Sequence, residues 1–366
     1  MIQEITIKNF LSFKDKVSFN FEATNDKFAE ESQVVTINKH TRLLRFAIIY
    51  GYNASGKSNL LSTFDFLNYF WSYKPTDLDS GTGVIPFMFD KASINEPSYF
   101  EIIFFVKNTK YCYQLELDQH QVYLEKLSYY KTIQPIMLFE RTLKNGQSDI
   151  QFNPKADKIG NVAKETISVN CLKNASFFIA RNQVNVSLPL IDAAKEWMRT
   201  HLMPVISPTT RLTSYAQKQA SESKELINYI VNFLHEADFN ITNISSNVIN
   251  KQLPDDVIRF LTENNEDSDE DSIKEAERIK KERTIKQFQT IFEHTVENNN
   301  GVETYQMDQK YESTGTMRTF GIETALHEAI KNKAILPIDE LETSLHPKLL
   351  EKILFEYLKM PARSQL

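Results

Sequence analysis

The sequence predicts an α/β fold, a mixed sheet interrupted by an inserted helical lobe, and three observations carry that prediction. Strand-like runs, continuous or alternating in polarity, occur toward both ends of the chain. A glycine-containing turn joins one such run directly to a segment with three- and four-residue apolar steps. Between about 190 and 290 the pattern changes to helical spacing and dense charge, so sheet-forming parts flank a lobe. The expected organisation is a first sheet-bearing part over 1–190, a helical insertion with an acidic loop over 191–290, and a second sheet-bearing part over 291–366.

The elements follow in chain order. Val17, Phe19 and Phe21 alternate with Ser18, Asn20 and Glu22, the period of a half-buried strand. Phe46 to Tyr50 is a short continuous apolar run, as in a central strand covered on both faces. Leu60, Leu61, Phe64, Leu67 and Phe70 then mark one face of a helix. Phe100 to Val106 and the alternating Tyr111, Tyr113, Leu115 and Leu117 flank the polar stretch Lys107 to Lys110, which predicts a hairpin. Ile191 to Leu202 and Glu225 to Phe233 have helical apolar spacing. Between Thr262 and Ser272 the chain is too acidic to pack and reads as a solvated loop, followed by a charged helix from Ile273 to about Phe288. The chain closes with a helix over Met317 to Ile330, a strand over Ala334 to Ile338, and a helix over Pro347 to Leu358.

Composition narrows the class. Apolar residues make up 41% of the 366 positions, and 25 are Phe, enough for a sizeable core. A net charge of −6 does not point to nucleic acid, although a local basic groove is compatible with it. Cys112 and Cys171 form no CxxC pair or metal spacing, which fits a reduced, cytoplasmic setting. No basic-then-apolar leader opens the chain, and no run of 18 apolar residues appears, so no signal peptide or membrane span is expected.

Gly51-Tyr52-Asn53-Ala54-Ser55-Gly56-Lys57-Ser58 matches GxxxxGK[ST] in full. Cradling phosphates requires backbone N–H groups converging on one concavity, and Gly51 and Gly56 permit the tight curl because they lack Cβ. Lys57 then reaches the β- and γ-phosphates as a point charge, and the Ser58 hydroxyl ligates Mg²⁺. A preceding apolar strand and a following helix place the phosphates of ATP on a helix N-terminus.

Far downstream, Ile335-Leu336-Pro337-Ile338 runs into Asp339-Glu340. A strand ending so delivers Asp339 to Mg²⁺ beside Ser58 and leaves Glu340 to orient and activate the attacking water. Pro337 removes one ladder donor, so a bulge or a missing neighbour is expected there.

Several segments together resemble the SMC/RecF/Rad50-like branch of ABC-type P-loop ATPases, and more narrowly the OLD-like ATPases of bacteria, also called AAA15 or AbiLi-type. Ile5 to Phe13 is similar to that family's opening strand and turn, and Ile48 to Asn59 to its Walker A, including Asn53 and Asn59. Glu312-Ser313-Thr314-Gly315-Thr316 resembles its signature, and Asp339 to Pro347 its Walker B and D-loop. The resemblance is specific over roughly 1–70 and 305–366 and vague between.

That resemblance implies an ABC-type ATPase head: a mixed sheet with an antiparallel β-subdomain and a helical insertion, active as a homodimer or higher homo-oligomer. Ser313 and the N–H groups of Gly315 and Thr316 would contact the γ-phosphate held by Lys57 of the other copy. Read from residues alone, the same stretch is a polar cap before a helix. For the glutamine that links Mg²⁺ to the lobe, Gln183 is the candidate, with Gln114 or neither as alternatives. His346 stands at the D-loop aspartate position or is simply a helix-start residue. The family's switch histidine lies on the strand after the helix that follows Walker B, and the chain is expected to be cut short before it. The function so implied is an ATPase sensor or regulator in bacterial anti-phage defence, with an effector protein in trans. A DNA-maintenance head of RecF/Rad50 type and an ATP-bound assembly scaffold with little turnover are the alternatives.

Overall fold

The computed structural model describes the whole chain except residues 157, 238–239, 264–269, 300 and 361–364. Most of the acidic run between Thr262 and Ser272 lies outside the described residues. The fold is mixed α/β with a large antiparallel sheet, and it divides into two compact units. The first comprises Met1–Pro208, Glu328–Leu341 and Phe355–Leu366; the second comprises Thr209–His327 and Glu342–Leu354.

In the first unit, β1 (Ile2–Lys8) and β2 (Val17–Asn20) precede a short helix α1 (Glu30–Gln33) and a hairpin of β3 (Val34–Asn38) and β4 (Thr41–Leu44). The helix α2 (Lys57–Ser72) separates these from β5 (Ser98–Val106), β6 (Thr109–Leu117), β7 (Val122–Tyr130), β8 (Pro135–Lys144) and β9 (Gln147–Phe152). The large sheet has the order β2-β1-β5-β6-β7-β8-β9, antiparallel throughout. The expected hairpin is β5–β6, closed by Lys107-Asn108 with Val106 opposite Thr109. Phe100, Ile102 and Phe104 face inward and Tyr99, Glu101 and Ile103 outward, as a period of two requires.

Helices α3 (Asn161–Asn170), α4 (Phe177–Arg181) and α5 (Pro189–Thr200) complete this unit's core. Aromatic contacts join helices to sheet: Trp71 of α2 meets Tyr113 edge-on, Phe177 of α4 stacks on Phe139, and Trp197 of α5 stacks on Phe104. Under this layer, Glu125 and Arg141 sit opposite each other on β7 and β8 and are both fully buried.

A second, parallel arrangement is built from short segments. Ile335 bridges both Leu202 and Gln365 in parallel, and Ile338 bridges Ile206. Leu366 donates to the Arg45 carbonyl and accepts from Ala47 N–H, the alternation of a parallel pair. The order is therefore 202–206, 334–339, 365–366, 45–47.

Two expectations need correction here. Phe46 to Tyr50 is not a strand covered on both faces: Ile48 and Tyr50 are exposed, because bonding from 365–366 reaches only to Ala47. Ala334 to Ile338 is bonded on both sides yet irregular. Met203 and Ile206 donate to the carbonyls of Ile335 and Pro337, so three residues on one side span two on the other. The extra residue lies in 203–206, so the bulge is in the neighbour of the proline-bearing run and not in that run itself.

In the second unit, α6 (Thr213–Glu222) and α7 (Lys224–Glu236) pack against β10 (Ile241–Gln252) and, for α6, β11 (Thr284–Asn298). The helices α8 (Asp255–Glu263) and α9 (Glu270–Glu282) connect these strands, and β12 (Gly301–Asp308) completes an antiparallel sheet in the order β10-β11-β12. The charged helix expected to reach Phe288 ends at Glu282. Arg283 adopts a left-handed φ of 57°, and Thr284 pairs with Gln252, so strand pairing takes over. Residues 241–252, inside the segment expected to be helical, form that partner strand. The helix α10 (Thr314–Asn332) follows, and α11 (Pro347–Lys359) lies beyond Asp339 and Glu340; the unit boundaries fall within these two helices. No described helix is long and apolar enough to cross a membrane.

Candidate functional site

The glycine-rich loop lies in the first unit. Ala54 and Gly56 both take positive φ, 61° and 91°, and curl the chain into the first turn of α2. Two close approaches explain the glycines: a Cβ at Gly56 would lie 2.6 Å from Ser12 Oγ, and one at Gly51 would lie 2.9 Å from Ser55 Oγ. Gly56 is the N-cap of α2 and no side chain caps the helix, so its first N–H groups stay open to an anion. Lys57 folds back over the loop, its Nζ donating to the carbonyls of Gly51 at 2.9 Å and Tyr52 at 3.0 Å. Asn53, Ser55 and Ser58 are exposed, and Asn59 is half-buried one position further along the helix.

The acidic pair arrives from the neighbouring segment. Asp339 is half-buried, its N–H donating to the Ile206 carbonyl at 2.8 Å, while Glu340 is exposed with a left-handed φ of 48°. Residues 45–47 and 334–338 both bond to 365–366, so they run parallel, one strand apart, roughly 9–10 Å. Their C-terminal ends point to the same edge. The stretch that leads into the Lys57 loop and the one that ends in Asp339-Glu340 therefore leave the sheet at the same edge, where ligands bind in parallel α/β arrangements.

The helix α2 is tied to the outer segment. Asp65 Oδ1 accepts from Val205 N–H at 2.9 Å, and Asn68 Nδ2 donates to the Leu202 carbonyl at 3.3 Å. Burial pushes the Asp65 carboxyl up from its ordinary value, and the Val205 N–H pulls it partly back. Sequence reasoning missed this tether. Its signal was the polar pair Asp65 and Asn68 three residues apart in the otherwise apolar stretch 64–71.

The donor set suits a hard cation. Among the described residues no cluster of three His, Cys, Asp or Glu side chains could hold a metal. Mg²⁺ is bound through a few protein oxygens plus substrate phosphates, and the Ser58 hydroxyl and Asp339 carboxylate are oxygen donors of the kind it takes.

Of the two candidate glutamines, Gln114 is engaged elsewhere: its amide donates to Glu101 at 2.6 Å and to Tyr99 on the sheet. Gln183 is exposed in the turn after α4, its N–H donating to the Ala180 carbonyl.

Ser313, Gly315 and Thr316 belong to the second unit. Ser313 Oγ accepts from Thr316 N–H at 3.0 Å and lies 2.8 Å from Thr316 Oγ1, the geometry of an N-cap for α10. Ser313 and Thr314 are exposed and Thr316 is buried. A Cβ at Gly315 would stand 3.2 Å from the Ser344 carbonyl. Just ahead of the cap, Glu312 accepts from His294 Nε2 of β11 at 2.6 Å, a contact no local pattern announces. His346 Nδ1 accepts from Lys348 N–H, and its carbonyl accepts from Leu349 and Leu350, so it serves as a helix-start residue for α11.

Comparison with known proteins comes to rest on one family. Its model, described as "AAA domain, putative AbiEii toxin, Type IV TA system", matches residues 46–366. Among solved structures, an SMC head domain from Thermotoga maritima is similar at a TM-score of 0.37 and 11% identity, over 100% of this chain and 86% of that one. None of the curated proteins matches the sequence.

Proposed function

The chain belongs to the AAA-domain family of AbiEii-type proteins, and from that membership we propose that it binds ATP with Mg²⁺ and hydrolyses it between two paired copies of itself. The observation that carries this reading is the uncapped start of α2, fronted by Lys57, in a loop reached from residues 45–47, which run one strand away from the segment that ends in Asp339-Glu340.

Gly51, Asn53, Ala54, Ser55, Gly56, Lys57, Ser58 and Asn59 bind the nucleotide. The open N–H groups of the loop and of α2 donate to the phosphate oxygens, and Lys57 exchanges its two carbonyls for the β- and γ-phosphates. The cation, held by Ser58 and Asp339 with Gln183 as a further contact, supplies charge neutralisation on the phosphoryl oxygens. Glu340 orients the attacking water and takes its proton as the bond to the γ-phosphorus forms and the bond to the β–γ bridging oxygen breaks. Glu340 is an exposed residue. In this reading Ser313, Gly315 and Thr316 of the second copy close over the γ-phosphate, so a lone copy is incomplete. The family's association with toxin–antitoxin systems supports a regulatory role in bacterial defence, with ATP-driven pairing controlling a separate effector.

Two substitutions test the chemistry. Lys57→Ala is expected to abolish nucleotide binding, measured by titration with a fluorescent ATP analogue. Glu340→Gln is expected to keep binding and slow turnover by about 10²-fold or more, the scale of a lost general base. Wild-type turnover in Glu340→Gln removes the base assignment, and tight ATP binding by Lys57→Ala removes the nucleotide site itself.

A further inference from the structure

The segment that joins β12 to α10 is held at three separate points, all within the second unit. At its start, Gln309 is hydrogen-bonded by the Gln217 amide, which also donates to Thr290 Oγ1 at 3.1 Å. At its end, Gly315 lies against the Ser344 carbonyl so closely that a Cβ would be 3.2 Å away. In the middle, the Glu312 carboxylate accepts from His294 Nε2 at 2.6 Å, with the two side chains only 5% and 19% exposed. His294 stands on the same face of β11 as Thr290 and Phe292, both fully buried, and Phe292 packs edge-on against Phe320 of α10. The inward row of β11 therefore supports α10 with a ring and holds the residue just before its N-cap with a charge-assisted hydrogen bond.

We infer that His294 is a positioning residue for the half-site that one copy offers to its twin: through Glu312 it sets where Ser313 and the first N–H groups of α10 point. This rests on the ATPase reading above. The hydrogen bonds of the cap are local, so Ser313 to Thr316 keep their own geometry whatever His294 does. What the His294–Glu312 contact adds is the attachment of that cap to the β11 strand. Without it the Glu312 side chain loses its tie to β11, and what remains on this residue is the local hydrogen bond from its N–H to the Gln309 carbonyl. His294 touches no part of the Lys57 loop's hydrogen bonding, so its loss is expected to act on the partner's nucleotide and not on its own.

The test separates these two destinations. His294→Leu removes the donor, His294→Asn is polar but too short to reach Glu312, and His294→Gln restores the reach. Leu and Asn variants are expected to bind a fluorescent ATP analogue within about twofold of wild type. Their kcat is expected to fall on the order of tenfold or more, since small misplacements of a positioned group cost one to two decades. The Gln variant is expected to recover most of the loss. Mixing His294→Leu with Lys57→Ala is the decisive arm. The mixed pair contains one site with an intact Lys57 loop from the first protein and an intact cap from the second, so turnover is expected to rise well above either protein alone. His294→Asn takes its place in the mixture if the Leu variant does not fold. Turnover within twofold of wild type in the Leu and Asn variants overturns the inference. So does a mixture with no gain, because the defect then lies in His294's own copy. Activity in Lys57→Ala alone would instead overturn the nucleotide site, a failure distinguishable from this one.

Discussion

Gly56 shows how a single position can be both readable and incompletely read. The pattern GxxxxGK[ST] demands glycine there for curvature, and its φ of 91° bears that out. The second demand, room for Ser12 at 2.6 Å from a Cβ, comes from a turn more than forty positions away and has no local signature. Gly56→Ala is therefore expected to cost about 1–2 kcal/mol from the left-handed backbone alone. The Ser12 hydroxyl can rotate away, so the contact adds little to stability but disturbs the loop. A denaturant melt and an ATP titration check both halves: the melt is expected to move modestly and the titration strongly. Lys57, Ser58, Asp339 and Glu340 stand out as candidates because each belongs to a pattern a few residues long. His294 was not, because its significance is a contact across 18 positions made by strand pairing.

At the scale of elements, the β5–β6 hairpin was legible and the parallel pairing was not. The hairpin β5–β6 announces itself through alternation on both sides of a polar turn, and that alternation is the sheet's two faces. Phe46 to Tyr50 carries an equally apolar run, but a run states only that a segment prefers burial, not which neighbour covers it. The element with the most at stake is α4. Glu125 accepts from Ser176 Oγ and Phe177 N–H at 2.7 Å each, and Arg141 donates to the carbonyls of Leu172, Lys173 and Ala175. This fully buried pair therefore pins both the N-terminus of α4 and the turn before it, and α4 leads to Gln183. Arg141→Met leaves Glu125 charged and buried with no cation, a loss of about 3–5 kcal/mol. Equilibrium urea unfolding measures it. Replacing both partners with apolar residues is expected to cost less than the single change, since no charge is then stranded.

For the whole molecule, the distinguishing expectation is that turnover depends on protein concentration. In the proposed function a single copy holds ATP with its Lys57 loop but lacks the cap that Ser313 supplies. Ser313→Arg removes the N-cap of α10, at a cost of about 1 kcal/mol, and puts a bulky cation at an exposed turn, where it obstructs a second copy. ATP binding by this variant is expected to match wild type, while ATP-dependent pairing on size exclusion and the rise of specific activity with concentration both vanish. A variant that still pairs counts against the cross-copy site.

The amino-acid order alone determined the chemistry on offer: a phosphate-cradling loop with its lysine and serine, and an acid pair at the end of an apolar run. Each motif is local because its groups act from one short turn, while bringing the motifs together is left to the fold. The tertiary structure decided what sequence spacing does not encode. It placed 334–339 one strand from 45–47 through 365–366, turned residues 241–252 and 284–298 into paired strands, and set His294 beneath Glu312. Each of those outcomes depends on which distant segment supplies the missing hydrogen-bond partner. Backbone groups must be paired wherever they are buried, and only the folded chain settles with what.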